Sequence, residues 1–71
     1  MERVKIEVNE EIGEVDAEIE QINRNHWYGK VATSINDVYI NVDTDSHSKE
    51  SIKTALAGHV RQKYKKKKGE L

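Results

Sequence analysis

The chain lacks cysteine, proline and phenylalanine, and it contains no long apolar run. Without cysteine, neither a disulfide nor a thiolate zinc site can stabilise the fold, so packing or association must do so. A reducing, intracellular setting fits such a chain. No stretch approaches the roughly 20 apolar residues of a membrane span, and the N-terminus does not resemble a signal peptide. We therefore expect a soluble, cytoplasmic protein with no membrane partner.

The short chain and the missing residue types also limit how it can fold. Its 71 residues form one domain at most, and a domain of this size buries little of its surface. A partner chain, such as the second copy of a homodimer, would add stability. The absence of proline is typical of compact regular structure with few rigid loops. Because phenylalanine is absent, Trp27 must supply much of the aromatic core.

Apolar residues alternate with polar ones at the start and in the middle of the chain. Val4, Ile6 and Val8 have the period of a half-buried strand. Residues 27–34 and 38–42 predict a hairpin around Asn36-Asp37, with Tyr39 on the outward face of its strand.

Residues 12–22 fit two templates. As a strand, they point Val15, Ala17 and Ile19 inward and the acids outward, whereas as a helix they place isoleucine and valine on one stripe. Glutamate, alanine and glutamine favour the helix, whereas Gly13 and the β-branched residues favour the strand. We favour the strand, and the sequence leaves the helix open.

A polar run over residues 43–48 ends the hairpin and supplies helix caps, of which Ser46 and Ser48 fit best. The apolar stripe of the helix that follows comprises Ile52, Leu56, Val60 and Tyr64, joined by Ala55 and His59. Lys65–Lys68 is a like-charge block that repels itself and should fray. The prediction is an α+β fold: a three- or four-stranded antiparallel meander covered on one face by a C-terminal helix. We expect a single domain over residues 1–64 and a basic, flexible tail over residues 65–71.

No motif predicts catalysis, a metal or a cofactor. The three histidines, His26, His47 and His59, never have the i, i+4 spacing of a helical metal pair. The segment from Asp43 resembles the opening of a calcium loop, but Ser48 replaces its glycine and Thr54 its final glutamate. There is neither a nucleophile elbow nor a glycine-rich phosphate loop. We therefore expect a non-enzymatic protein with no metal and no cofactor.

The net charge of −1 conceals a strong asymmetry along the chain. Residues 1–50 contain twelve acids and five bases, whereas residues 51–71 contain seven bases and one acid. Such an asymmetry affects the electrostatic field of the protein and the partners that it attracts, and it does not determine the fold.

The acids Glu14, Asp16, Glu18 and Glu20 occupy alternate positions in the stretch EVDAEIE. On a strand they would lie about 6.6 Å apart, since each residue rises roughly 3.3 Å. This is about twice the roughly 3.4 Å axial rise per phosphate of one DNA strand, so the carboxylates could match alternate phosphates. The plain alternative is a solvated acidic face, or one that pairs with the basic helix end of a neighbouring subunit. The predicted partner-binding residues are Glu7, Glu10, Glu11, Glu14, Asp16, Glu18, Glu20 and Tyr39.

In this character the chain resembles the small phage-encoded proteins that mimic DNA and disable host DNA-binding proteins. The resemblance covers mainly residues 7–20, and it departs from that class at Lys65–Lys68, since those proteins are usually acidic throughout. It implies an inhibitor in the cytoplasm of a bacterial host, whose acidic face occupies the nucleic-acid site of a basic DNA-binding protein. An example of such a target is the nucleoid-associated, histone-like HU, whose basic arms bind the minor groove.

The basic C-terminus indicates a different function, a small nucleic-acid-binding regulator, because lysine clusters neutralise phosphates. The residues of this alternative site are Arg61, Lys63, Lys65, Lys66, Lys67 and Lys68. The plain interpretation is a solvated tail. The sheet itself should not bind DNA, because only Arg24 and Lys30 are expected near its outward acids. A third hypothesis is an assembly protein whose opposite charges pair head to tail.

Overall fold

A computed structural model of the protein, which describes residues 1–70, contains a four-stranded antiparallel sheet with one helix packed on one face. The predicted α+β fold is confirmed. The strands lie in the sheet in chain order, as a meander. The elements are β1 (Glu2–Asn9), β2 (Gly13–Asn23), β3 (His26–Ile35), β4 (Val38–Ser46) and α1 (Lys49–Glu70).

The strand interpretation of residues 12–22 is confirmed, and the helical alternative is wrong. Val15, Ala17 and Ile19 are buried on the side of the sheet that α1 covers, which we call the inner face. The strand begins at Gly13, whose φ of 77° is open to glycine and unfavourable for most other residues. Alternation therefore outweighs helix propensity here, because only a strand buries these three side chains while leaving the acids in water.

The hairpin between β3 and β4 turns at the predicted position. Asn36 and Asp37 have φ values of 50° and 68°, as a two-residue type I′ turn requires, and Ile35 pairs with Val38. β4 is longer than predicted, because the polar run after Val42 continues to pair with β3 as far as Ser46, which lies opposite Trp27. The prediction that Trp27 supplies much of the aromatic core is wrong: Trp27 is half-buried against the core, and the buried aromatic residue is Tyr64 of α1.

The helix begins where the caps predicted. Ser48 Oγ accepts a hydrogen bond from the backbone N–H of Ser51 at 3.0 Å, so Ser48 is the cap. The predicted stripe Ile52, Leu56, Val60 and Tyr64 is buried. The two residues predicted to join it do not: Ala55 is half-buried and His59 is exposed, while Ala57 is buried instead.

The backbone after Tyr64 differs from the predicted tail. α1 continues through Lys65–Lys68 to Glu70, and Leu71 lies outside the described residues. Lys67 Nζ donates to the backbone oxygen of Tyr39 at 2.6 Å, and Lys68 Nζ pairs with Glu11 at 2.6 Å. These contacts, together with the attraction between lysines and a helix C-terminus, offset the repulsion within the block.

α1 packs closely on β3 at Gly29. A Cβ added at this glycine would lie 2.6 Å from Leu56 Cδ1 and 3.0 Å from Ile52 Cγ1. Real side chains do not approach this closely, so the helix sits at its observed height only because position 29 carries no side chain.

Replacing Gly29 by alanine should therefore destabilise the protein by about 1–3 kcal/mol, the usual cost of overpacking a core. Gly58→Ala is the matched control, because a Cβ there has no atom within 4 Å. It should stabilise α1 by roughly 0.5–1 kcal/mol, since alanine is the better helix former. Urea unfolding monitored by Trp27 fluorescence measures both changes. A Gly29→Ala variant as stable as the parent would contradict the close packing of α1 on β3.

Candidate functional surface on the outer face of the sheet

The side chains that point away from α1 form the outer face of the sheet, and most of its charges are negative. Cross-strand pairing places seven acids and three bases on this face. The acids are Glu7, Glu14, Asp16, Glu18, Glu20, Asp43 and Asp45, and the bases are Arg3, Lys5 and Lys30.

The four alternating acids of β2, Glu14, Asp16, Glu18 and Glu20, form what we call the acidic ladder. Glu18 is half-buried and the other three are exposed. Among residues 1–69, none of the four carboxylates forms an ion pair or a side-chain hydrogen bond. Glu7 lies directly opposite Glu14 on β1, a like-charge pair that destabilises a sheet. The ladder therefore carries negative charge that the fold itself leaves unused.

Three bases share the outer face with the ladder. Arg3 lies opposite Glu18 and Lys5 opposite Asp16 on the β1 side, and Lys30 lies opposite Glu18 on the β3 side. The expectation that Arg24 and Lys30 alone lie near the acids is wrong. Arg24 belongs to the turn after β2, and the register of β1 brings Arg3 and Lys5 beside the acidic ladder. The centre of the ladder is thus partly balanced from within the sheet. At the Glu14 end, Lys53 and Arg61 of α1 line an edge cleft with this acid, whereas Glu20 at the other end lies opposite Tyr28 and not opposite a base.

The pairing between β2 and β3 covers only part of their length. It extends from Glu18 opposite Lys30 to the turn, where Asn23 pairs with His26. Beyond this region, where β2 and β3 are not paired, a cleft of about 390 Å³ lies between the two strands. Its lining combines apolar and polar side chains, namely Lys5, Ile12, Glu14, Val15, Asp16, Thr33, Ser34 and Ile35. Two ladder acids therefore line a recess rather than a flat surface.

Asp43 and Asp45 belong to this surface, although the strand was predicted to end before them, at residue 42. Tyr28 Oη donates to Asp43 at 2.9 Å, and His26 Nε2 lies 3.1 Å from Asp45. The alternation that begins at Tyr39 carries on through both aspartates, so extending it by four residues would have found them.

The other predicted partner-binding residues lie off the ladder. Glu10 and Glu11 form the turn between β1 and β2, and Glu11 is engaged with Lys68. The Glu11 carboxylate, by its hydrogen bond and its charge, raises the pKa of Lys68. Tyr39 is 53% exposed, as predicted, and Lys67 Nζ lies 5.9 Å from the centre of its ring. The structure therefore brings together Glu7 and the four ladder acids. Glu10, Glu11 and Tyr39 lie instead at or near the β1–β2 and β3–β4 turns.

The residues of the alternative nucleic-acid site lie on α1, across the sheet from the ladder. Arg61, Lys63, Lys65, Lys66 and Lys68 are exposed, whereas Lys67 is half-buried against the sheet. Most of the positive charge thus lies in the helix layer. At the edges of the sheet the two signs meet, because Arg61 lines a cleft with Glu7 and Glu14, and Lys63 and Lys66 line another with Asp43.

Two further observations concern the described part of the chain. No group of three or more histidine and acidic side chains lies close enough together to hold a metal ion. No helix in it is both long and apolar enough to cross a bilayer.

Comparison of the chain with protein-family models, curated proteins and solved structures found no match.

The contact between Tyr28 and Asp43 can be tested by titration. The hydrogen bond to the carboxylate, with partial desolvation and the charge of Asp43, raises the pKa of Tyr28 above its usual 10.0. Because this pKa is raised by folding, the contact stabilises the protein below about pH 10, and its contribution is lost as the pH rises through the raised value.

Asp43→Asn should lower the pKa of Tyr28 towards the usual value, since the carboxylate is lost. Asp45→Asn is the control, because Asp45 contacts His26 instead. The ultraviolet absorbance of tyrosinate against pH measures the change, and Tyr28→Phe assigns the signal. An Asp43→Asn titration identical to that of the parent would contradict this contact.

Proposed function

We propose that the protein is a non-enzymatic DNA mimic that binds a basic DNA-binding protein through its outer face and so keeps DNA from that partner's site. The observation that carries the proposal is the acidic ladder: alternate carboxylates on one strand, held by a sheet and without an internal partner. A basic groove built to neutralise phosphates would attract such a row by the same electrostatic steering.

The ladder is preorganised. β2 pairs with β1 along one side and, from Glu18 onwards, with β3 along the other. Its carboxylates therefore hold a spacing of about 6.6 Å without further ordering of the backbone. A partner that binds them breaks no ion pair among residues 1–69. Preorganised groups bind better because less entropy is lost on association.

The bases on the outer face determine which acids matter most. Arg3, Lys5 and Lys30 lie opposite Asp16 and Glu18, so it is at the ladder ends that no base of the sheet lies opposite an acid. Glu14 faces Glu7 at one end, and at the other Glu20 and Asp45 both lie beside Tyr28. The two ends are about 20 Å apart along the strand, since Glu20 lies six positions after Glu14 and each residue rises roughly 3.3 Å. We expect cationic side chains of the partner to bind these two ends.

The position of α1 supports the same proposal. Lys65–Lys68 would repel a basic partner if they lay beside the ladder, but the helix covers the inner face and carries them on the opposite layer. The proposed target class is a nucleoid-associated architectural protein such as the histone-like HU, in the cytoplasm of a bacterial host of a phage.

The first experiment is an affinity pull-down from bacterial lysate treated with nuclease. The expected result is recovery of a basic DNA-binding protein that added duplex DNA displaces, because mimic and DNA would compete for one site. Binding of that protein in the presence of saturating DNA would contradict mimicry.

Glu14→Gln/Glu20→Gln should then weaken binding of the purified partner about tenfold, since two exposed ion pairs contribute roughly 0.7 kcal/mol each. The variant should also flatten the dependence of affinity on salt. Glu2→Gln/Asp37→Asn removes the same charge from the start of β1, where Glu2 pairs with Lys49, and from the β3–β4 turn, and it should bind as the parent does. Isothermal titration calorimetry at two salt concentrations measures these affinities. Equal losses in the two variants would show that net charge, not the ladder, determines binding.

A further inference from the structure

The C-terminal half of α1 carries bases on both of its flanks. Lys63 and Lys66 line a cleft on the β4 side, in which Asp43 is the acid. Arg61 and Lys65 line one on the β1 side, in which the acid is Glu11, already paired with Lys68. Lys63, Lys65 and Lys66 have no hydrogen-bond or ion-pair partner among residues 1–69, and Arg61 makes only a 3.5 Å contact with the backbone oxygen of Val8. We call these four residues the basic helix surface.

We propose that the basic helix surface is a second, separate binding site, which takes the phosphate backbones of duplex DNA. This site goes beyond the proposed function, because it binds nucleic acid itself rather than a protein that binds nucleic acid. Lysine and arginine neutralise phosphates and release their counterions, and this supplies affinity without reading sequence.

The dimensions of the helix favour a duplex groove. An α-helix with its side chains is about 10–12 Å wide, and the major groove of B-form DNA is about 12 Å wide. Bases on both flanks can then face the phosphates of both strands, Lys63 and Lys66 on one side and Arg61 and Lys65 on the other. The major groove of duplex RNA is too narrow to admit such a helix.

Other anionic partners fit the surface less well. Single-stranded nucleic acid is held by stacking on exposed aromatic rings, but Tyr64, the one aromatic residue of α1 among residues 49–69, is only 4% exposed. Membrane surfaces are bound by helices with an exposed apolar face, whereas the apolar face of α1 is buried against the sheet.

The acidic ladder lies mainly on the far side of the molecule from the basic helix surface. The molecule measures 41 × 18 × 17 Å along its principal axes, and ladder and helix lie in its two opposite layers. The acids nearest to the bases are Glu7 and Glu14, which line a cleft with Arg61, and Asp43, which lines one with Lys63 and Lys66. They weaken the attraction for phosphates, and salt reduces this effect beyond a Debye length of about 10 Å at 0.1 M.

The test is fluorescence anisotropy of a labelled 20-base-pair duplex titrated with the full chain between 50 and 200 mM salt. With four phosphate contacts, affinity should fall about 150-fold over this range. The variant Arg61→Gln/Lys63→Gln/Lys65→Gln/Lys66→Gln should abolish both the binding and its salt dependence. Glutamine keeps the helix propensity of lysine and arginine, and circular dichroism verifies that the variant is folded. Glu14→Gln/Glu20→Gln on the outer face should bind DNA at least as well as the parent.

Several results would overturn the proposal. These are absence of DNA binding by the parent at 50 mM salt, unchanged binding by the glutamine variant, or loss of binding in the Glu14→Gln/Glu20→Gln variant. Tighter binding of the single strand or of duplex RNA would also overturn it, as would equal displacement by polyglutamate, which would indicate an acidic protein as the partner. Because no partner protein is present, the outcome does not depend on whether the outer face mimics DNA.

Discussion

The packing of α1 on the inner face of the sheet determines where the charges of this protein lie. The helix buries Ile52, Leu56 and Val60 completely, and Gly29 lets it approach β3 closely. Once one face of the meander is committed to this contact, strand alternation sends the other half of the side chains to the opposite face. The acidic ladder is thus a consequence of the same alternation that builds the core. A slip of one residue in β2 would bury its carboxylates and expose its apolar residues.

This arrangement gives a small domain two faces of opposite sign without an intervening linker. The lysine-rich end of α1 stays helical against the sheet because two of its side chains reach the end with the β1–β2 and β3–β4 turns. There Lys67 contacts Tyr39 and Lys68 pairs with Glu11. These exposed contacts contribute little stability individually. Their effect is geometric, because they keep the last turns of α1 against the domain and its remaining bases directed to the flanks and to solvent.

The sequence allowed the fold to be predicted because its signals are local. Alternation, the Asn36-Asp37 turn and the Ser48 cap each depend on a few neighbouring residues, and all agree with one architecture. The extent of the helix was not predictable in this way, since the charge block alone suggests fraying and the contacts that hold it come from residues far along the chain. The same limit applied to the surface. Individual acids could be assigned to the outer face, but Arg3 and Lys5 oppose them only through a strand register that no local pattern specifies.

The stability of the sheet does not explain why Glu7 and Glu14 lie directly opposite each other on the outer face. Directly opposed like charges weaken a sheet, and a lysine at either position would instead give an attractive cross-strand pair. Arg3 and Lys5 show that the same strand places bases opposite acids elsewhere. The repulsion is therefore local to one end of the ladder, where it raises the negative potential. A cation supplied from outside would relieve it, so part of the free energy of binding a basic partner would come from strain that the unbound sheet already carries.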